Sequence, residues 1–423
     1  MINRDFYLNK IIERMWDGNI KVITGIRRGG KSTILFDIFK NYLLSNGAKE
    51  ENILIFKLDE RKYYEYRNPI ILCDYVENIV NKNINEKYYL FIDEVQFTSE
   101  IYDEKTKYKV NIYDMLNELK SYKNLDCYVT GSNSKMLSSD IATQFRGRSD
   151  QIRIYPLSFK EFYSYKGGDI NESLEEYMIY GGMPGLVNES TPQRKREYLK
   201  NLFDEIYIKD LVEHAKIQRE NILEQLLDFL AASVGSLTNA YKISCSINNK
   251  TLFKISDDSI IKYLRSMSDA FLISEAKRFD IKGKKYFEYP NKYYFADVGL
   301  RNSRLNYRQI DSGHIMENIV YNELIRRGYS VDVGVIEDRR NGTRKNREID
   351  FVVNDFDKKI YIQSSFSIGS EEKMIAENES LKMTKDFFKK VIIRNDIPTS
   401  FYDEDGIFNC KLIDFLLEKV DLF

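Results

Sequence analysis

Short apolar runs alternate with amphipathic stretches over the first 159 residues. Ile20–Thr24, Asn52–Leu58, Tyr88–Ile92, Leu125–Thr130 and Gln151–Tyr155 read as strands. Several are continuously apolar, as strands covered on both faces must be. Between them, Ser32–Leu44 and Val110–Lys120 repeat apolar positions at helical spacing. The alternation predicts an α/β fold with a parallel sheet flanked by helices. From about Lys160 to Ala231 the period turns helical, broken by a sharp turn at Gly181-Gly182-Met183-Pro184-Gly185. A compact helical unit follows, with helix Asp257–Met267 opened by the start signal Ser256-Asp257-Asp258. Strands near Phe271–Lys277 and Lys284–Tyr289, parted by Gly283, complete a helices-then-hairpin pattern that predicts a winged helix. Beyond about Ile310, helix His314–Arg327 precedes strands Val331–Val335, Glu348–Val353 and Ile360–Ser364. This second α/β unit is expected to close with a helical tail.

One junction carries chemistry. The strand Ile20–Thr24 runs into Gly25-Ile26-Arg27-Arg28-Gly29-Gly30-Lys31-Ser32-Thr33, the spacing of a phosphate-binding loop, with a helix leaving at Ser32. Glycines let backbone N–H groups curl round phosphates, and the helix N-terminus adds partial positive charge. Gly25, Gly29, Gly30, Lys31, Ser32 and Thr33 are thus the nucleotide-binding candidates. Lys31 reaches the β- and γ-phosphates and Ser32 ligates Mg²⁺. The apolar strand Tyr88–Ile92 ends in Asp93-Glu94, which assigns Asp93 to the metal and Glu94 to the attacking water. A third strand ends at Thr130-Gly131-Ser132-Asn133. Ser132 and Asn133 are candidates to touch the γ-phosphate or the water, although Ser and Asn also favour turns there. In Phe145-Arg146-Gly147-Arg148-Ser149, Arg148, and after it Arg146, is placed to neutralise transition-state charge, often from a neighbouring subunit. Surface salt bridging is the plain alternative.

Charge and cysteine content narrow the partners. The 423 residues carry 64 basic and 65 acidic side chains, net −1, so no global positive field draws the chain to nucleic acid. Local patches are the route left: Arg339-Arg340 with Arg344-Lys345-Asn346-Arg347, and Lys262 with Arg265 on the candidate recognition helix. Asp257, Asp258 and Asp269 oppose the second patch. The dispersed Cys73, Cys127, Cys245 and Cys410, with only His214 and His314, argue against zinc and for a reducing cytoplasm. No apolar run approaches the length of a membrane span.

The set GIRRGGKS, YYLFIDE, TGSNS, FRGRSDQIRIYPLSFKEF and YGGMPGLV resembles a large prokaryotic family of AAA-type ATPases. KYYFADVGLRN, HIMENIVYNELIRRGY, EIDFVV and YIQSSFS extend the resemblance over nearly the whole chain. It implies an AAA core at 1–159, a helical lid at 160–230, a winged-helix-like unit at 231–309 and a restriction-endonuclease-like domain at 310–423. It also implies ATP and Mg²⁺ as ligands, with no guanine-specific Asn-Lys-x-Asp motif present. The last unit resembles the PD-(D/E)xK nuclease fold, whose metal-binding positions match Glu317, Asp350 and Gln363, with Glu348 two residues before Asp350. The motif lysine is replaced by Ser365, and Lys358 and Lys359 lie on the approach to that strand. The expectation is an ATPase that moves its C-terminal domains and acts on nucleic acid or a protein partner. A slow ATP-operated switch and an ATP-regulated nuclease are the alternatives. A trans-acting Arg148 would require a homo-oligomer.

Overall fold

A computed structural model describes residues 2–104, 107–131, 149–208, 211–212, 220–249, 254–283, 285–338, 345–367 and 371–423. The chain divides into two compact units, Met1–Tyr155 and Pro156–Phe423.

The first unit is built on five parallel strands: β1 (Ile20–Gly25), β2 (Ile53–Lys57), β3 (Tyr88–Asp93), β4 (Leu125–Thr130) and β5 (Ser149–Ile154). Their order across the sheet is β2-β3-β4-β1-β5. The pairing is in parallel register, for example Val22 with Val129 and Leu90 with Cys127. Side chains alternate faces along a strand, and both faces are apolar. Val22, Leu90 and Ile92 pack with Leu72 and Val76 of helix Pro69–Val80 and with Met115 and Leu119 of helix Ile112–Leu119. Ile23, Phe91 and Tyr128 pack the other way, against Tyr7 and Ile11 of helix Asp5–Ile12 and against Leu35 and Phe39. Helix starts follow local chemistry: Asn68 accepts the Ile70 N–H at 3.0 Å ahead of Pro69, and Asn111 forms a capping box with Asp114. Lys21 sits inside an apolar strand because its ammonium is paired with Asp126 at 2.6 Å and Asp17 at 2.8 Å.

The second unit begins with helices, among them Phe159–Lys166, Ile170–Tyr180, Pro192–Asn201, Glu220–Ala232, Ala240–Asn248 and Asp257–Asp269. Strands follow at β6 (Ile273–Asp280), β7 (Lys285–Phe295), β8 (Ser330–Asp338), β9 (Lys345–Asp355), β10 (Lys358–Ser365), β11 (Lys389–Arg394), β12 (Phe401–Tyr402) and β13 (Phe408–Lys411). They form one mixed eight-stranded sheet, ordered β12-β13-β11-β10-β9-β8-β6-β7.

One boundary is redrawn here and one expectation is corrected. The hairpin read as the end of a separate winged helix supplies β6 and β7, and β6 pairs with β8 in parallel, from Val333–Arg278 to Val335–Asp280. The anticipated helical tail holds helix Glu371–Lys382, but then three strands and a short helix, Leu412–Leu416. The six-residue run Lys389–Arg394 has only Val391, Ile392 and Ile393 buried, too short an apolar segment to show a period.

The glycine turn is a clamp. The buried Asp297 carboxylate accepts the N–H of Gly182 at 2.7 Å and of Leu300 at 3.1 Å. A Cβ on Gly181, at φ +75°, would lie 2.2 Å from Asp297 Oδ1, and one on Gly299 would lie 1.8 Å from the Tyr180 carbonyl.

Candidate functional site

The C-terminal ends of β1, β3 and β4 bring the expected nucleotide residues together. Gly25, at φ +140°, is required, because a Cβ would stand 2.1 Å from the Ile154 carbonyl of β5. A Cβ on Gly29 would press on Ile26 at 3.0 Å, and Gly30 has φ +96°. Arg28 occupies the left-handed region at φ +59° without a glycine's freedom, which marks the loop as strained. Lys31 folds back over the loop, its ammonium donating to the carbonyls of Gly25 and Ile26 at 3.1 Å each. Burial pulls its pKa down to about 8, against the opposing pull of Glu94 and Asp93.

Ser32 Oγ donates to Asp93 Oδ2 at 3.1 Å. A hydroxyl and a carboxylate in contact form a hard oxygen donor pair suited to Mg²⁺, which keeps several waters and takes its remaining ligands from phosphate. Burial raises the Asp93 carboxyl from its ordinary value and Glu94 adds to this, while the Thr130 and Ser32 hydroxyls oppose it. Glu94 leaves the end of β3 in the left-handed conformation, φ +54°, ψ +52°. Its N–H donates to Thr130 Oγ1 at 3.3 Å, and its carboxylate accepts from the Gln96 amide. The arrangement has the parts for holding a triphosphate tail, a divalent ion and a water.

The pattern of motifs missed two contributors. Thr130 donates its hydroxyl to Asp93 Oδ1 as well as accepting from Glu94, so it ties the two acidic residues together. It was legible as the last residue of the third strand, one step before the tip that drew attention. Arg4, buried, donates to the carbonyls of Gly29 at 3.3 Å and Tyr155 at 2.8 Å, fastening the loop from 25 residues upstream. No sequence signal points to it. Ser132, Asn133, Arg146 and Arg148 lie outside the described residues.

In the second unit Glu317, Glu348, Asp350 and Gln363 also converge, around a residue that sequence spacing did not suggest. Lys292 of β7, 2% exposed, places its ammonium 2.7 Å from Glu317, 2.6 Å from Glu348 and 3.5 Å from Asp350. Tyr294 donates to Glu317 at 2.6 Å. Asp350 accepts the Ser364 N–H at 2.9 Å, and its own N–H donates to Gln363 Oε1 at 2.6 Å. Burial drives the Asp350 carboxyl up to about 8, with the charge of Glu317 adding to it and Lys292 opposing. Ser365 is buried, and its hydroxyl has no hydrogen-bond partner among the described residues. Arg339, Arg340 and Arg344 fall outside the described residues. Arg347 is not free to meet a phosphate backbone, since it pairs with Asp338 at 3.1 Å and Glu379 at 2.8 Å. Lys262 and Arg265 are exposed on helix Asp257–Asp269.

The parallel sheet, its loop and the acidic end of β3 define an AAA-type P-loop domain, and residues 17–163 match the family described as "AAA domain". Residues 171–311 match a domain of unknown function, DUF8612. The chain belongs to one family with an uncharacterized protein of Haemophilus influenzae, to which it is 35% identical over 99% of both chains. An uncharacterized protein of Methanocaldococcus jannaschii is 29% identical, over 88% of this chain and 79% of its own. Among solved structures, Cdc6p from Pyrobaculum aerophilum is similar at a TM-score of 0.30 and 10% identity, covering 75% of this chain and 95% of that one. Likeness of that order carries no argument about activity. Among the described residues no helix is long and apolar enough to cross a membrane.

Proposed function

We propose that this protein is a Mg²⁺-dependent ATPase whose hydrolysis cycle rearranges the second unit to act on nucleic acid or a protein partner. The observation that carries the reading is the meeting of Lys31, Ser32, Asp93, Thr130 and Glu94 at one sheet edge. Lys31 and the loop amides hold the β- and γ-phosphates. Ser32 and Asp93 hold the metal, which supplies charge neutralisation on the phosphates when bound. Glu94 orients the attacking water and accepts its proton. ATP rather than GTP rests on the family resemblance. The helical lid, the winged-helix role of the helices before β6, a homo-oligomer with Arg148 acting in trans, and a cytoplasmic setting belong to the same proposal. Exposed Lys262 and Arg265 are the described cations that support a nucleic-acid contact. Steady-state phosphate release tests the core: Glu94→Gln should lose about 10²- to 10⁴-fold in turnover while still binding ATP, and Lys31→Ala should lose binding. Turnover in wild type that survives both substitutions would refute the assignment.

A second reading, a slow ATP-operated switch, is favoured by one contact. The Gln96 amide holds the Glu94 carboxylate, which restrains it from the water it would activate. Tight binding with negligible turnover, released by Gln96→Ala, would select the switch.

A further inference from the structure

The likeness of the terminal region to metal-dependent nucleases implies a divalent ion among Glu317, Glu348 and Asp350. The residues present do not fit one. Three acidic side chains from two elements, helix Ser312–Arg326 and β9, point at a single position, and that position holds the Lys292 ammonium from β7. Glu317 has little left to offer a metal. Its Oε1 accepts from both Lys292, at 2.7 Å, and Tyr294, at 2.6 Å. Its Oε2 faces His314 Nδ1 at 3.8 Å and lies against Gly235, where even a Cβ would come within 2.9 Å. Asp350 has committed Oδ2 to the Ser364 N–H. A divalent ion entering beside Lys292 would meet a like charge within a few ångströms in a buried setting.

The lysine is also held in its charged form. A buried ammonium alone sheds its proton. Here the carboxylates of Glu317 and Glu348, at 2.7 and 2.6 Å, pair with it and hold the charge. On the neighbouring strand, where a nuclease would carry its cation, Ser365 offers a hydroxyl.

We propose that Lys292 is the resident cation of this carboxylate cradle, taking the place of a divalent metal and closing the site to Mg²⁺ and Mn²⁺. The cluster is then an internal polar cross-link of four side chains joining helix Ser312–Arg326, β7 and β9, and the second unit binds its partners without cutting phosphodiester bonds.

The test counts bound Mn²⁺ by the loss of the free-ion EPR signal, on the full chain without nucleotide, with Asp93→Asn throughout to silence the first site. With Lys292 in place, no Mn²⁺ binds with a dissociation constant below about 0.1 mM. Adding Lys292→Ala creates one such site, and adding Asp350→Asn removes it. Lys292→Met, which keeps the apolar stem, serves if the alanine variant fails to fold. Mn²⁺ binding by the Lys292-intact chain that disappears with Asp350→Asn would overturn the proposal, as would a well-folded Lys292 variant that gains no site. The same holds for Mg²⁺- or Mn²⁺-dependent cleavage of single- or double-stranded DNA or RNA by the intact chain, if Asp350→Ala abolishes it.

Discussion

On the proposed assignment, Lys31 makes nucleotide affinity depend on pH in a definite direction and range. Its ammonium is buried under the loop, with a pKa of about 8 against an ordinary 10.5. Triphosphate oxygens bind the protonated form, so a bound nucleotide returns the pKa toward or above its ordinary value. The free chain carries the charge in about nine-tenths of molecules at pH 7 and about one-tenth at pH 9. Affinity should therefore fall about tenfold between those values, or about 1.4 kcal/mol, because the missing proton must be taken up on binding. The phosphates of the magnesium complex are fully ionised throughout that range and contribute no slope. Titration calorimetry of the Mg²⁺–nucleotide complex in two buffers of different ionisation heat reads both quantities. Proton uptake should be close to one-half at pH 8 and rise above it by pH 9. Lys31→Arg, which stays charged, should flatten any residual binding against pH. Folding stability runs the opposite way with pH. Between pH 8 and 10.5 the unfolded chain holds the extra proton, so stability rises with pH through that window, and Lys31→Met should remove the rise. A wild-type affinity equal at pH 7 and pH 9, with no proton taken up, would refute this account of the pocket.

Thr130→Val removes a hydroxyl that serves both Asp93 and Glu94. It should raise the Mg²⁺ concentration for half-maximal turnover about tenfold, the cost of one unmet charged hydrogen bond, with the fold intact by circular dichroism. Gly25→Ala forces a Cβ to within 2.1 Å of the Ile154 carbonyl. It should lower the first unit's stability by more than about 2 kcal/mol in urea melts and abolish nucleotide binding. Asp297 has its pKa raised to about 6, chiefly by burial, with backbone N–H groups opposing. Its contribution is therefore greatest below its unfolded value of 3.8 and is lost as pH rises through 6. Asp297→Asn should flatten that part of the stability–pH curve in denaturant titrations of the second unit, at the cost of one mismatched N–H contact.

The candidate nucleotide site was readable as a cluster because its residues lie in consecutive backbone positions. A strand, a glycine loop and a helix start, or a strand ending in Asp-Glu, each occupy one short window, and the sheet then brings the windows together. Arg4 and Lys292 were not readable, because each acts on residues 25 or more positions away through space. Lys292 looks like one charge beside a run of aromatics, and only the fold sets its ammonium among three carboxylates. The last 40 residues misled for another reason. β11 and β13 have three buried positions each, and β12 has two exposed aromatics, so none shows enough periods to separate strand from helix.

The parallel pairing of β6 with β8 bears on any dissection of this chain. A fragment ending at residue 311, where the DUF8612 match stops, would keep β6 and β7 but lose the strand that continues the ladder beyond β6. It would carry an open row of amide donors and carbonyl acceptors from Arg278 to Asp280, a template for self-association. Insolubility of such a piece would report the severed sheet and say nothing of the biology of the region.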